Sequence, residues 1–462
     1  MKRWLMVMLV MAGFAGLGAA PAAAAPGDVS ATEVSFEGAG GVVLHGTVLA
    51  GASAAGRRPA MVMLQGAGNR GRQAIRPDAE AYARLGVVVL IYDKRTVGYS
   101  LFHRDYSVLA DDALAGLRLL AARPDVDPAR LGLWSASEGA FVAPLAAARS
   151  ADVKYVIATG AVGVAPAVQT RWQWGEYLRH FGVSGSLTRT MQGPAFRTVV
   201  GAGLFTEGDF DPLAGWREVR QPVLAEWGEL DHDAMPELSA RLIAGALHDA
   251  GNTHATFRTV PGVRHTLHLT ADGGFDHLAA IPSDYGRYEA AWIDAPAPTA
   301  AELPAGGGPV PAVAPLRWYE SFGLQVAGFA LLVVGFAAFP LTAAFRRVRG
   351  RRFAPPVRRP ARWLAGAGLA ATLGAPLYLF FMMAVAAQVV GPTLLGRPLP
   401  WLLLQLLALA TVVALVCTAI AWRRHRGEIS APEHVRLTLL VTAGALFLPL
   451  AVHWGLLAGV RG

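Results

Sequence analysis

Four stretches of this chain contain no Asp, Glu, Lys or Arg: residues 321–345, 363–396, 398–422 and 437–460. A helix needs about 20 apolar residues to cross the hydrocarbon core of a bilayer, and each stretch reaches that length. One such run can be a buried helix of a soluble protein. Four in succession, separated by arginine clusters, predict transmembrane helices at about 321–345, 364–391, 400–422 and 437–460.

Arginine placement sets their orientation. Arg346, Arg347, Arg349, Arg351, Arg352, Arg358, Arg359 and Arg362 follow the first run, and Arg423, Arg424, Arg426 and Arg436 follow the third. Only Arg397 separates the second from the third. The first and third connections are therefore expected in the cytoplasm, which puts residues before 321 on the extracytoplasmic side of the inner membrane. The other end of the chain agrees. Lys2 and Arg3 precede an apolar run at 4–17 and small residues through Ala25, the pattern of a secretory signal over residues 1–24. An uncleaved anchor is the alternative, although that run is short for a span. Pro376 and Pro449 are expected to kink their helices, and Gln325, Gln388 and Gln405 to bond between them. The ionisable residue within the runs is His453, beside Trp454, so an anchor is favoured over a transport path.

Charge supports the division. The net charge is +8, but residues 296–462 hold 15 of the 41 Lys+Arg and 4 of the 33 Asp+Glu. The remainder is mildly acidic, so no nucleic-acid partner is expected, because that reading needs a basic face on a folded domain. The single Cys417 excludes an intramolecular disulfide.

Residues 30–294 alternate short apolar runs with helical segments. Strands are expected at 42–50, 60–65, 87–92, 130–135, 154–159, 222–227 and 256–260, and helices at 73–85, 107–122, 138–149 and 235–247. Asp111 and Asp112 suit the positive end of the 107–122 helix. Continuous apolar strands indicate an α/β fold whose mostly parallel sheet is covered by helices on both faces. Residues 161–218 carry no clear strand and are expected to form a lid-like insertion. Residues 295–320, rich in Pro, Ala and Gly, are expected to be a linker.

The chemistry begins where the 130–135 strand runs through Ser135-Ala136-Ser137-Glu138-Gly139 into a helix. A nucleophile on a strained strand-to-helix turn needs small residues two before and two after it, which Ser135 and Gly139 supply. Ser137 is the candidate nucleophile; an ordinary serine turn is the plain alternative. The acid and the histidine should follow in that order. Asp231 lies just past the 222–227 strand, where the carboxyl edge of such a sheet faces its crevice. Asp233 is its rival, and either residue suits a helix N-cap. His265 follows the last strand by a short loop, with His268 a weaker alternative and His254 placed before that strand. Backbone N–H groups for a developing oxyanion are expected from Glu138 and from Gly66-Ala67-Gly68, with Ala67 the chosen donor. In the insertion, Trp172, Trp174, Tyr177 and Phe181 recur at helical spacing among Arg171, Arg179 and His180. They are either lid packing or an acyl pocket in which Trp172 and Trp174 touch substrate.

These residues resemble the α/β-hydrolase superfamily, and among its members bacterial carboxylesterases with a Tyr-Asp-Lys-Arg-Gly-x-Gly-x-Ser segment. This chain has Tyr92-Asp93-Lys94-Arg95-Thr96-Val97-Gly98-Tyr99-Ser100, with Thr96 where that pattern has glycine. The run Asp125-Val126-Asp127-Pro128-Ala129-Arg130 before the elbow strand is similar too. The resemblance covers roughly residues 30–293 and none of the four apolar runs. It implies a triad of Ser137, Asp231 and His265, and hydrolysis of a carboxylic ester through an acyl-enzyme without metal or organic cofactor. The Asp93-Lys94-Arg95 charges are read as bonding neighbouring loops. The expectation is an exported, membrane-tethered serine hydrolase with a small-molecule or lipid-like acyl ester as substrate. An acyltransferase or peptidase using the same triad is the alternative, as is a hydrolase-like sensor domain without catalysis.

Overall fold

The computed structural model describes residues 29–52, 56–100, 103–295, 310–349 and 357–457. The signal sequence read over 1–24 and residues 296–309 of the linker lie outside them.

The apolar runs become one eight-stranded sheet. In chain order come β1 (Val29–Glu37), β2 (Val43–Gly51), β3 (Arg58–Leu64), α1 (Arg76–Arg84), β4 (Val88–Tyr92), α2 (Tyr106–Ala121) and β5 (Val126–Ala136). They continue with α3 (Gly139–Arg149), β6 (Val156–Thr159) and the insertion helices α4 (Pro166–His180), α5 (Ser186–Thr190), α6 (Phe196–Gly201) and α7 (Pro212–Trp216). Then follow β7 (Val223–Leu230), α8 (Pro236–Asp249), β8 (Ala255–Arg264) and α9 (Arg287–Asp294). The spatial order is β1-β2-β4-β3-β5-β6-β7-β8. β2 runs antiparallel to β1 and to β4, and the other neighbours are parallel. β4 and β6 are buried along their whole length because helices cover both faces of the sheet. β1 was not anticipated: it is an edge strand, exposed over Ser30–Glu33, and has no apolar run to announce it. The short helix α9 was missed as well.

The helix expected over 107–122 starts differently from its reading. Asp105 is the cap, its Oδ1 accepting from Ser107 N at 2.9 Å and Val108 N at 3.2 Å. Asp111 lies a turn further in and pairs with Arg149 at 2.7 Å. Asp112 is buried and takes Arg95 Nε and Nη2 at 2.7 Å each, together with Ala39 N at 2.8 Å. Removing one partner of a buried pair strands the other charge, at a cost of about 3–5 kcal/mol. Asp112→Ala is therefore expected to lower the Tm of the full-length protein by that equivalent; a loss under ~1 kcal/mol would show that water reaches Arg95.

The four apolar runs form α10 (Phe322–Val348), α11 (Arg358–Ala384), α12 (Leu399–Arg424) and α13 (Ala431–His453), each long and apolar enough to cross a membrane. Their bounds differ from expectation most at α11, which spans Arg358–Ala384 rather than 364–391, and at α13, which spans Ala431–His453 rather than 437–460. α11 stops at Ala384, since Ala386 and Ala387 turn left-handed and Thr393–Leu394 then pairs with Arg397–Pro398. α13 starts before 437 because its one acid is neutralised, Glu433 Oε2 accepting from Arg346 at 2.8 Å and Arg436 at 2.7 Å. Leu331, Val334, Leu341, Leu377, Leu403 and Val413 face outward, a surface suited to lipid rather than water.

Residues 161–218, between β6 and β7, contain helices and no strand and share a buried core with the bundle. Trp174, Leu187, Met191 and Phe196 belong to the same cluster as Phe336, Trp401, Phe447 and Trp454. The end of the linker is equally committed. Leu316 packs on Gly201, and buried Glu320 is ion-paired to Arg197.

Candidate active site

Ser137 directly follows β5 with φ +53°, a left-handed conformation that costs a residue bearing Cβ about 1–2 kcal/mol. Its N–H donates to the Thr159 carbonyl at the end of β6 (3.1 Å), and α3 begins two residues later. Gly139 is required there, because a Cβ would run into the Leu64 carbonyl of β3. Ser135, where such turns usually have glycine, is fully buried and donates to the Ile157 carbonyl at 3.1 Å. That bond to β6 accommodates the departure.

Asp231 and Asp233 part company in three dimensions. Asp231 Oδ1 accepts from the N–H groups of Asp233 (2.7 Å) and Ala234 (3.0 Å), and Oδ2 lies 2.8 Å from His265 Nδ1. Asp233 turns instead to the insertion, where Gln173 Nε2 and Tyr177 Oη bond its Oδ1. β8 runs on to Arg264, so His265 stands at the strand end rather than after a loop. Its ring is buried against Gly160, where a Cβ would sit 2.5 Å from Cε1. Gly160 follows Thr159, the residue that holds the Ser137 N–H. Serine turn and imidazole thus converge on the end of β6. His265 Nε2 is buried without a protein partner. His268 bonds Asp78 at 2.9 Å instead, and His254 precedes β8. Seven non-glycine residues among those described have positive φ, and Ser137, Met235, Thr266 and Leu267 are four of them. Backbone strain is concentrated where these side chains are aimed.

Burial disfavours the His265 imidazolium, but the Asp231 carboxylate outweighs it and lifts the group to about 9. Because this exceeds the ordinary 6.5, the charged pair adds stability that is complete below about pH 6.5 and lost as pH rises through about 9. A base must be neutral to accept a proton. For a reaction using His265 as base, kcat/KM is therefore expected to rise with pH around a midpoint above 6.5. A pH–rate profile checks this, and a midpoint at or below ~6.5 would contradict it.

The Glu138 backbone stands at the first turn of α3, where N–H groups have no intrahelical partner. Gly66 lies opposite, 3.4 Å from the Ser137 Cβ if it carried a Cβ of its own. Gly68 N–H is engaged by Tyr99 Oη at 3.1 Å. The Glu138 side chain was not foreseen as part of the site. It is buried, with Lys94 Nζ and Tyr99 Oη each 2.6 Å from Oε2 and Arg104 Nη1 2.9 Å from Oε1. Lys94 Nζ also donates to the Gly66 carbonyl at 2.7 Å, so one cluster fixes both loops that flank Ser137. Burial draws Lys94 below its ordinary value while Glu138 opposes the shift. The Asp93-Lys94-Arg95 charges pair with Arg72, Glu138 and Asp112 in turn. Thr96 is exposed and outside the left-handed region that Gly98 adopts at φ +74°.

Trp174 belongs to the packing of the insertion. Its indole is buried edge-on to Phe196 (centroids 5.2 Å apart) in the core shared with the bundle. Trp172 is half-buried on α4. Asp231, Asp233 and His265 bring ligand-type atoms within 4.8 Å of one another. Both Asp231 oxygens are already engaged by N–H donors, an arrangement that orients an imidazole.

No protein-family model matches the chain. It is 30% identical over 135 residues to polyketide transferase claH of Penicillium crustosum, covering 28% of this chain and 44% of that one. It is 32% identical over 130 residues to thiohydrolase apmlB of Arthrinium phaeospermum, covering 27% and 41%. The matched part spans less than half the length of either relative. Among solved structures it is similar to an esterase of Pyrococcus furiosus (17% identity, 51% of this chain and 83% of that one, TM-score 0.38). It is also similar to a dienelactone hydrolase-like promiscuous phosphotriesterase from metagenomic libraries (15% identity, 60% and 99%, TM-score 0.40). The strand order and the serine turn after β5 make this an α/β-hydrolase fold, followed in the chain by the four apolar helices.

Proposed function

We propose that residues 30–294 form a serine hydrolase that cleaves carboxylic esters through an acyl-enzyme. One observation carries the reading: His265 is held by Asp231 through Nδ1, its buried Nε2 has no protein partner, and its ring packs on Gly160, the residue after the Thr159 carbonyl that takes the Ser137 N–H. In this mechanism Nε2 takes the hydroxyl proton as Ser137 Oγ attacks the acyl carbon. The N–H groups of Glu138 and Ala67 receive the oxyanion. The imidazolium then protonates the departing alcohol, and water repeats the sequence to free the acid and restore the hydroxyl. The half-buried Trp172 is proposed as a substrate contact. The domain is proposed to lie outside the cytoplasm, opposite the arginine-rich end of the bundle.

The test is labelling of the full-length protein with a fluorophosphonate, followed by peptide mapping. Modification of Ser137 is expected; folded protein that stays unlabelled overturns the proposal. A second reading, transfer of the acyl group to an amine or alcohol, is suggested by relatives named for a transferase and a thiohydrolase. Turnover of an aryl ester that stalls after one burst in water, and resumes only with an added acceptor, would favour it.

A further inference from the structure

The insertion is seated on one end of the membrane bundle by specific polar contacts. Ser186, buried at the start of α5, accepts through Oγ from Trp401 Nε1 (3.1 Å) and Gln405 Nε2 (3.0 Å) of α12. Thr190 Oγ1 donates to the carbonyl of Trp454 at 3.1 Å. Ser184 N–H reaches the Gly396 carbonyl at 2.9 Å. Gly455 packs so closely on Ser186 and Thr190 that a Cβ would collide with them. Buried polar groups are costly unless paired, so these bonds fix one register of lid on bundle. Holding a domain at a membrane requires none of them.

The opposite side of the insertion grips the loop that carries Asp231. Gln169 Nε2 of α4 donates to the Asp233 carbonyl at 2.7 Å, and Gln173 and Tyr177 bond its carboxylate. Asp233 N–H in turn donates to Asp231 Oδ1 at 2.7 Å. Phe275 is stacked between His180 of α4 and His232, each ring centroid 4.0 Å away, which ties α4 to the loops after β7 and β8.

We infer that the four-helix bundle is the seat of the lid and, through α4 and Asp233, positions the Asp231–His265 pair, with Ser186, Trp401 and Gln405 as positioning residues. This rests on the serine-hydrolase reading and goes beyond it, giving the membrane helices a part in turnover that an anchor lacks.

The test uses full-length protein in detergent and a short aryl ester. Ser186→Ala is expected to lower kcat about ten- to a hundred-fold, as small displacements of catalytic groups do, with KM changed less than about two-fold. The pH midpoint of kcat/KM should also move down toward ~6.5. His265 faces Asp231 and Asp233 from the β7 loop and Arg264 beside it, with His277 near, and a loosened lid weakens its contact with Asp231. Loss of stability alone would not move that midpoint. Folded Ser186→Ala with the wild-type kcat and midpoint overturns the inference. If that variant does not fold, Gln405→Ala, which keeps the Trp401–Ser186 bond, is read by the same criteria, and wild-type values there overturn it equally. Wild-type protein that neither turns over the ester nor takes the fluorophosphonate defeats the serine-hydrolase reading, and this inference with it, before any variant is made.

Discussion

Alanine at position 137 is expected to lower kcat for ester hydrolysis by about ten-thousand- to a million-fold and to abolish fluorophosphonate labelling. The change removes one oxygen. The Cβ, the φ of +53° and the bond from the backbone N–H to Thr159 are all compatible with alanine, so the turn should persist. The nearby Ser135 cannot take over, because it is fully buried and its Oγ is committed to Ile157. A residual rate of about a thousand-fold over water is still expected from the oxyanion donors and binding. KM should change little. Steady-state kinetics of the full-length protein check the result, and activity within about ten-fold of wild type would remove Ser137 from the mechanism.

Asp231→Asn is expected to lower kcat about ten-thousand-fold for a different reason. The amide keeps the shape of the carboxylate, and its oxygen can still accept from Asp233 and Ala234. Its NH2 group then faces His265 Nδ1, where the carboxylate accepted a proton at 2.8 Å. To pair with a donor, Nδ1 must give up its hydrogen, which moves to Nε2 and blocks uptake of the serine proton. The same change removes the charge that supports the imidazolium while burial remains, so the His265 value should fall from about 9 to below 6.5. The pH–rate midpoint should fall with it. Unchanged kcat together with an unchanged midpoint would mean that Asp233 is the acid.

Much of the fold was legible because burial on both faces writes itself as continuous apolar runs, as at β4 and β6. β1 was not, since an edge strand mixes polar and apolar residues. The turn at Ser137 was legible because it demands small residues at fixed offsets, and Gly139 against the Leu64 carbonyl shows why. The choice between Asp231 and Asp233 was open in the sequence: both follow β7, and they are separated only by which partner each finds. Asp233 finds α4, about 60 positions earlier in the chain. The Glu138 side chain was illegible for a similar reason, with partners 34 to 44 positions away. The surroundings of Trp174 were illegible because an aromatic stripe announces that something covers it without naming what, and the cover is a bundle whose sequence begins near residue 322.

The seating of the insertion also bears on how this protein can be handled and how it is made. A chain cut at residue 295 would carry Val183, Leu187 and Met191, buried in the core shared with the bundle, into water. An exposed apolar patch of that kind promotes aggregation and invites chaperone capture. Insertion of the helices into the bilayer and completion of the enzyme-like domain are therefore one folding problem, although the domain precedes all four helices in the chain.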